Sequence, residues 1–266
     1  MNDIFNLLDF LVMLIAIFYV IVVISIGEAL RKARNLPSTF TRKIIHMFAG
    51  FSVYTVPFYP HLWPATLVAL LFTILVYLSG PRTPIKRLRG WFEVMAREED
   101  VLAGHILGPF YYCVSITVVT GVLTFGAFLG YLPAAYYLMA GIAITIMMWG
   151  DGVGDLIGRR WGKHKYEIVK GAQRSLEGSL GVFVFGFIGA LVAIMFFGVL
   201  VPQVPWNRVV AWECSLDIFS IIMLSLIAAA LGTLIEAISP RGFDNITIPF
   251  ILTPVLIALG EIMGVF

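Results

Sequence analysis

The chain has 266 residues, of which 60% are hydrophobic and 13% charged, and its mean hydropathy is +0.94. A water-soluble domain has no means of covering that much apolar side chain, so the solvent for most of this surface is lipid. A formal net charge of +2 says little by itself, and no nucleic-acid partner is expected; the two cysteines, Cys113 and Cys214, have no metal-ligand spacing.

A membrane-spanning helix needs about 20 largely apolar residues. Such runs lie near 7–28, 44–60, 62–80, 101–123, 127–149, 180–200, 217–236 and 247–265. The reading is an all-α, polytopic membrane protein of about eight spans, forming one integral domain over 1–266. Asp3 and Asp9 open the first run with no Lys or Arg before them and no small-residue cleavage site, so it reads as a retained helix. The second run is short, and Pro57, Pro60, His61 and Pro64 mark a tight turn into the third.

Orientation follows from Lys and Arg. With eight spans, the segments 29–43, 81–100, 150–179 and 237–246 fall on one side and hold 17 of the 18 basic residues; Arg208 alone lies opposite. These loops are predicted cytoplasmic and both termini outside. Within 84–97, Ile85, Leu88, Trp91, Phe92 and Met95 recur at helical spacing with Arg and Lys between them, the pattern of an amphipathic helix in the cytoplasmic interface. Its bland role is anchoring; the sharper one is guarding a lateral lipid entrance. Trp206 and Trp212, in the outer loop with Pro202 and Pro205, read as interfacial anchors.

The fifth run ends in W-G-D-G-V-G-D-L-I-G-R-R-W-G-K, Trp149 to Lys163. Asp151 and Asp155 are one helical turn apart, and Gly150, Gly154 and Gly158 repeat at the same spacing, a stripe that admits a second backbone. Ionisable groups at a membrane boundary are costly and usually serve a site. Arg159, Arg160, Lys163, Lys165, Lys170 and Arg174 follow among further glycines. Carboxylates suited to Mg²⁺, beside cations suited to phosphate oxygens, are the parts that bind a nucleoside triphosphate, although G-x-x-x-x-G-K-[ST] is absent. The loop 150–179 is therefore predicted as a cytoplasmic nucleotide and metal segment.

R-S-L-E-G-S, Arg174 to Ser179, enters the next helix. Ser175, Glu177 and Ser179 suit helix caps; equally, the free N–H groups there suit phosphate, with Glu177 as metal ligand or base. Two further clusters share this side. Glu236 ends the seventh run and Asp244 or Asn245 can cap the eighth, while Arg42, His46 and Gly50 share one helical face of R-K-I-I-H-M-F-A-G. His46 is structural on the plain reading; Arg42 one turn earlier makes a phosphate contact the alternative. His105 and Glu261 are isolated and take no role.

G-D-G-V-G-D-L-I-G-R-R-W-G-K, R-S-L-E-G-S-L and E-x-x-S-P-R-G-F-D-N-I-T-I-P, with R-K-I-I-H, together resemble the membrane-bound lipid-alcohol kinases. That group comprises the phytol/farnesol kinases, the dolichol (polyprenol) kinases and the CTP-dependent diacylglycerol kinases, and is distantly similar to the phosphatidate cytidylyltransferases. The resemblance spans about Arg42 to Pro249. It departs at Arg174, where the family usually has Lys; the charge stays but a point donor becomes a planar fork. It implies transfer of the γ-phosphoryl group of a nucleotide, commonly CTP, to the hydroxyl of a lipid alcohol in the bilayer. In that scheme Asp151, Asp155 and Asp244 hold Mg²⁺ or position the hydroxyl, with Glu177 and Glu236 as supporting carboxylates. Arg42, His46, Arg159, Arg160, Lys163, Lys170, Arg174 and Ser175 face the triphosphate. The alternatives are a lipid cytidylyltransferase and, less well matched, an ion-coupled transporter.

Overall fold

The computed structural model describes residues 4–34, 36–96, 100, 106–204, 206 and 208–266. His105, Asp3, Arg97 and Pro205, each noted in the sequence, lie outside them. The helices run α1 Leu7–Arg34, α2 Ser38–Ala49, α3 Pro64–Leu78, α4 Lys86–Met95, α5 Leu107–Phe128, α6 Ala134–Trp161, α7 Leu176–Gln203, α8 Ile218–Ile238 and α9 Asp244–Ile262. Among the described residues six of these, α1 and α5 to α9, are long and apolar enough to cross a membrane, and α3 is a shorter apolar helix. The predicted second span is built differently: α2 passes into a 3₁₀ segment, Gly50–Phe58, that contains Pro57. It returns the chain to the start of α1, where His61 Nδ1 meets the Asp9 carboxylate at 2.6 Å, both side chains buried.

α6 is the axis of the bundle. Its residues Leu138, Met139, Ile142, Ile144, Met147 and Met148 have no exposed surface, as expected of a helix apolar on every side. α7, α8 and α9 pack around it with the 3₁₀ segment and α5. Both α6 and α7 contain a stretch of π-helix, Ile146–Asp151 and Ile194–Leu200. In such wider turns carbonyls are open to side chains. Met147 O accepts from His46 Nε2 (3.0 Å), and Phe197 O accepts from Trp212 Nε1 (3.0 Å). Trp212 is thus a buried packing residue and not an interfacial anchor, whereas Trp206 stays partly exposed.

The predicted loop 150–179 is mostly ordered structure. α6 continues to Trp161, and a two-stranded antiparallel hairpin follows, β1 Lys165–Glu167 with β2 Gln173–Ser175, pairing Tyr166 with Arg174. Glycine weakens an isolated helix, but here it permits contact. A Cβ on Gly154 would lie 3.0 Å from Gly178 O, and one on Gly178 3.2 Å from the Gly158 Cα. Gly154→Ala is expected to force α6 and α7 apart at a cost of about 1–3 kcal/mol, read as a lowered unfolding midpoint in detergent; an unchanged midpoint would mean the pair relaxes freely. Helix α4 occupies Lys86–Met95, within the 84–97 segment. Its apolar residues Leu88, Trp91, Phe92, Val94 and Met95 are buried against α1, α2 and α3, so the surface it lies on is the protein's own.

Candidate active site

The site forms where the C-terminal ends of α6 and α8 meet the N-terminal ends of α7 and α9, with α2 closing one side and the hairpin another. These ends enclose a cavity of about 350 Å³, within the size range of small-ligand sites. Asp151 is the last residue of the α6 π stretch and is buried. Its Oδ2 lies 3.0 Å from Lys43 Nζ and 3.5 Å from His46 Nε2. A backbone carbonyl only accepts, so His46 Nε2 carries the proton that bonds Met147 O. Lys43 Nζ also reaches Asp155 Oδ2 at 3.4 Å, and Asp155 in turn takes Arg159 Nε at 2.8 Å.

Arg174, delivered by β2, spans the other half. Its Nη1 pairs with Glu236, and its Nη2 donates to Ser239 O at 3.1 Å and lies 3.7 Å from Asp244 Oδ2. The planar fork therefore ties the end of α8 to the start of α9. Single carboxylate oxygens of Asp151, Glu236 and Asp244 lie within 4.8 Å of one another. Among the described residues, two buried acceptors of cavity-lining side chains have no hydrogen-bond partner: Glu236 Oε2 and Asn245 Oδ1. The Asn245 amide is oriented by its Nδ2, which donates to Gly108 O at 3.3 Å. Three carboxylates, one of them with a buried, unsatisfied oxygen, form a donor set that suits a hard divalent cation, which takes oxygen ligands.

Six basic side chains (Arg42, Lys43, Arg159, Lys165, Arg174 and Arg241) line the cavity against four acidic ones (Asp151, Asp155, Glu236 and Asp244). That surplus favours a polyanion. Of the residues singled out in the sequence, Arg42, His46, Asp151, Asp155, Arg159, Arg174, Ser175, Glu236 and Asp244 converge here. Arg42 also pairs with Asp100 at 3.4 Å. Ser175 accepts from Gly178 N at 3.2 Å and so caps α7, while still lining the cavity.

Four predicted residues are not among those that line it. Arg160 lies over the Trp161 ring, 5.0 Å from its centroid, and Lys163 and Lys170 are exposed. Glu177 turns to the hairpin instead, accepting from the backbone N–H of Lys163 (3.1 Å) and of His164 and from His164 Nδ1 (2.7 Å). Glu177→Ala is accordingly expected to lower any activity by about tenfold or less, through a loosened hairpin, with each such bond contributing about 1 kcal/mol. A loss of several hundredfold in a turnover assay would return Glu177 to the reacting centre.

Lys43 and Arg241 were given no role by the sequence, while Lys165 was noted only among the cations of its loop and Asn245 only as a helix cap. Lys43 was legible in principle: it stands three residues before His46, within reach on the same helix.

Over 237 residues the chain is 28% identical to the phytol kinase of Synechocystis, covering 88% of this chain and 85% of that protein. It is 24% identical over 234 residues to phytol kinase 1, chloroplastic, of Arabidopsis thaliana, covering 84% and 67%. It is also 24% identical over 228 residues to the probable phytol kinase 2, chloroplastic, of Glycine max, covering 85% and 67%. No family model and no solved structure matches the chain.

Proposed function

We propose that this chain, a relative of the phytol kinases and so of the membrane-bound lipid-alcohol kinases, moves the γ-phosphoryl group of CTP onto an isoprenoid alcohol of the phytol type. The observation that carries the reading is one cavity in which three carboxylates stand within 4.8 Å while basic side chains outnumber acidic ones around them. Asp151, Glu236 and Asp244 would hold Mg²⁺, which when bound neutralises phosphate charge. Lys43, Arg42, Arg159, Lys165 and Arg241 face the triphosphate, and Arg174 holds Glu236 and Asp244 in place. The alcohol oxygen attacks the terminal phosphorus, the bond from that phosphorus to its bridging oxygen breaks, and the nucleoside diphosphate leaves. The hydroxyl proton passes to a cavity carboxylate. Phosphoryl transfer depends chiefly on positioning and charge neutralisation, which this set of side chains supplies.

The same reading gives eight crossings, with α2 plus the 3₁₀ segment and α3 as the two short ones. The bias of 17 in 18 basic residues toward the site's end of the bundle supports a cytoplasmic active site and outer termini. The test uses purified protein, Mg²⁺, a panel of lipid alcohols and phosphatidate, with CTP labelled at either the γ- or the α-phosphate. Label reaching an alcohol from the γ position alone is expected, with ATP as the competing donor in a parallel tube. Label from the α position alone would make the protein a cytidylyltransferase.

A further inference from the structure

A second internal space lies beside the first. It is an apolar slot of about 60 Å³ between α1, the 3₁₀ segment, α3 and α5, with walls that include Val20, Val53, Val68, Phe72 and Ile116. Among the described residues, no charged side chain lines it. One end is Tyr112, whose ring centroid is 4.4 Å from that of His46 and whose hydroxyl donates to His46 O at 2.9 Å. His46 Nε2 is in turn 3.5 Å from Asp151 Oδ2. The His46 and Tyr112 rings thus form a partition, with the carboxylate cavity on one side and the slot on the other. A Cβ at Gly50 would strike both the Tyr112 hydroxyl and Met148, so the partition is closely packed.

Away from that end the slot runs along α5 to Thr120. Eight residues of helix correspond to about 12 Å at 1.5 Å per residue. Ser52, Thr55, Ala69 and Cys113 line it and are only half-buried, so it is not sealed within the bundle. A cavity of about 150 Å³ holds a benzene ring. This slot is smaller and elongated, and it suits part of one hydrocarbon chain lying lengthwise, not two.

The geometry points to this slot as the seat of the acceptor's hydrocarbon chain. The first carbons lie against Tyr112, the hydroxyl end abuts the His46–Tyr112 partition, whose rings must part for it to meet Asp151, and the remainder trails through the open side into lipid. The assignment rests on the kinase reading above and sharpens it: the acceptor is a single-chain alcohol, and diacylglycerol is excluded by its second chain.

The test is equilibrium retention of tritiated geranylgeraniol by the purified full-length protein in detergent, without nucleotide. Ala69→Phe and Cys113→Phe each place a ring at the slot, and Val118→Phe, at an exposed position of α5, is the control. Both slot variants are expected to weaken retention at least tenfold with the control within twofold of wild type, and a hundredfold excess of dioleoylglycerol should displace little label. The unfolding midpoint of each variant is measured alongside; either slot variant that retains its fold decides the result. Wild-type retention in both slot variants, equal competition by diacylglycerol, or no retention by the wild type would each overturn the assignment. Because no nucleotide is present, retention that depends on the slot in a protein that transfers no phosphate would sink the kinase reading alone. Phosphate transfer with unaffected slot variants would sink the slot alone.

Discussion

Asp151→Asn is expected to lower turnover by about 10³-fold or more, a loss of about 4 kcal/mol of transition-state stabilisation, while the protein inserts and folds. The two halves of that expectation have separate physical causes. The carboxylate is one of three whose oxygens lie within 4.8 Å, and an amide removes a full negative charge from the group that would hold the cation. The fold survives because Lys43 keeps partners: the amide oxygen still accepts from Nζ, and the Asp155 carboxylate remains 3.4 Å away. Measured together, the turnover number and the unfolding midpoint separate these effects. Turnover within tenfold of wild type would remove Asp151 from the reacting centre. Loss of the folded protein would show that the Lys43 pair is chiefly structural.

Arg174→Ala is expected to cost about 3–5 kcal/mol of stability, because removing one member of a buried ion pair leaves the other uncompensated. Glu236 and Asp244, whose side chains are 7% and 14% exposed, would be left facing each other near Asp151. Arg174→Lys, the residue usual in the lipid-alcohol kinases, is the more informative change. An ammonium reaches one of the three groups that the guanidinium now joins, Glu236, Ser239 O and Asp244. The expected result is a loss of about 1–3 kcal/mol, with turnover down about tenfold. Millimolar Mg²⁺ should raise the unfolding midpoint of Arg174→Ala by more than that of wild type, since a divalent cation replaces the missing charge. Wild-type stability and turnover in Arg174→Lys would mean that the fork does not organise the carboxylates.

Helix content, the membrane-spanning character of the chain and the placement of the central motif at a helix end were legible in the chain, because each depends on local pattern. Apolar runs report lipid, basic residues report one face of the membrane, and two aspartates at the end of an apolar run report a site whatever surrounds them. The same local logic failed where partners come from far away. Lys43 carried the ordinary explanation of a cytoplasmic lysine, and only folding across 108 positions sets its ammonium against Asp151. Arg159 and Arg160 are adjacent and chemically alike, yet about 100° of helical rotation separates them; one faces Asp155 in the cavity and the other lies over Trp161. Arg174 and Lys170 share a hairpin, and strand register brings the first to Glu236 while the second stays in solvent.

Each glycine from Gly150 to Gly158 disfavours an isolated helix by about 1 kcal/mol. Against the glycines of α7 the same residues permit the closest helix contact of the site, which keeps α6 helical to Trp161. From its own pattern the chain thus determined that it is helical and apolar enough for lipid, and that its carboxylates and cations gather in a few short motifs. Which cations meet which carboxylates, and where a hydrocarbon chain can lie beside them, was decided only by tertiary packing, because burial and distance are properties of pairs of residues and not of any one of them.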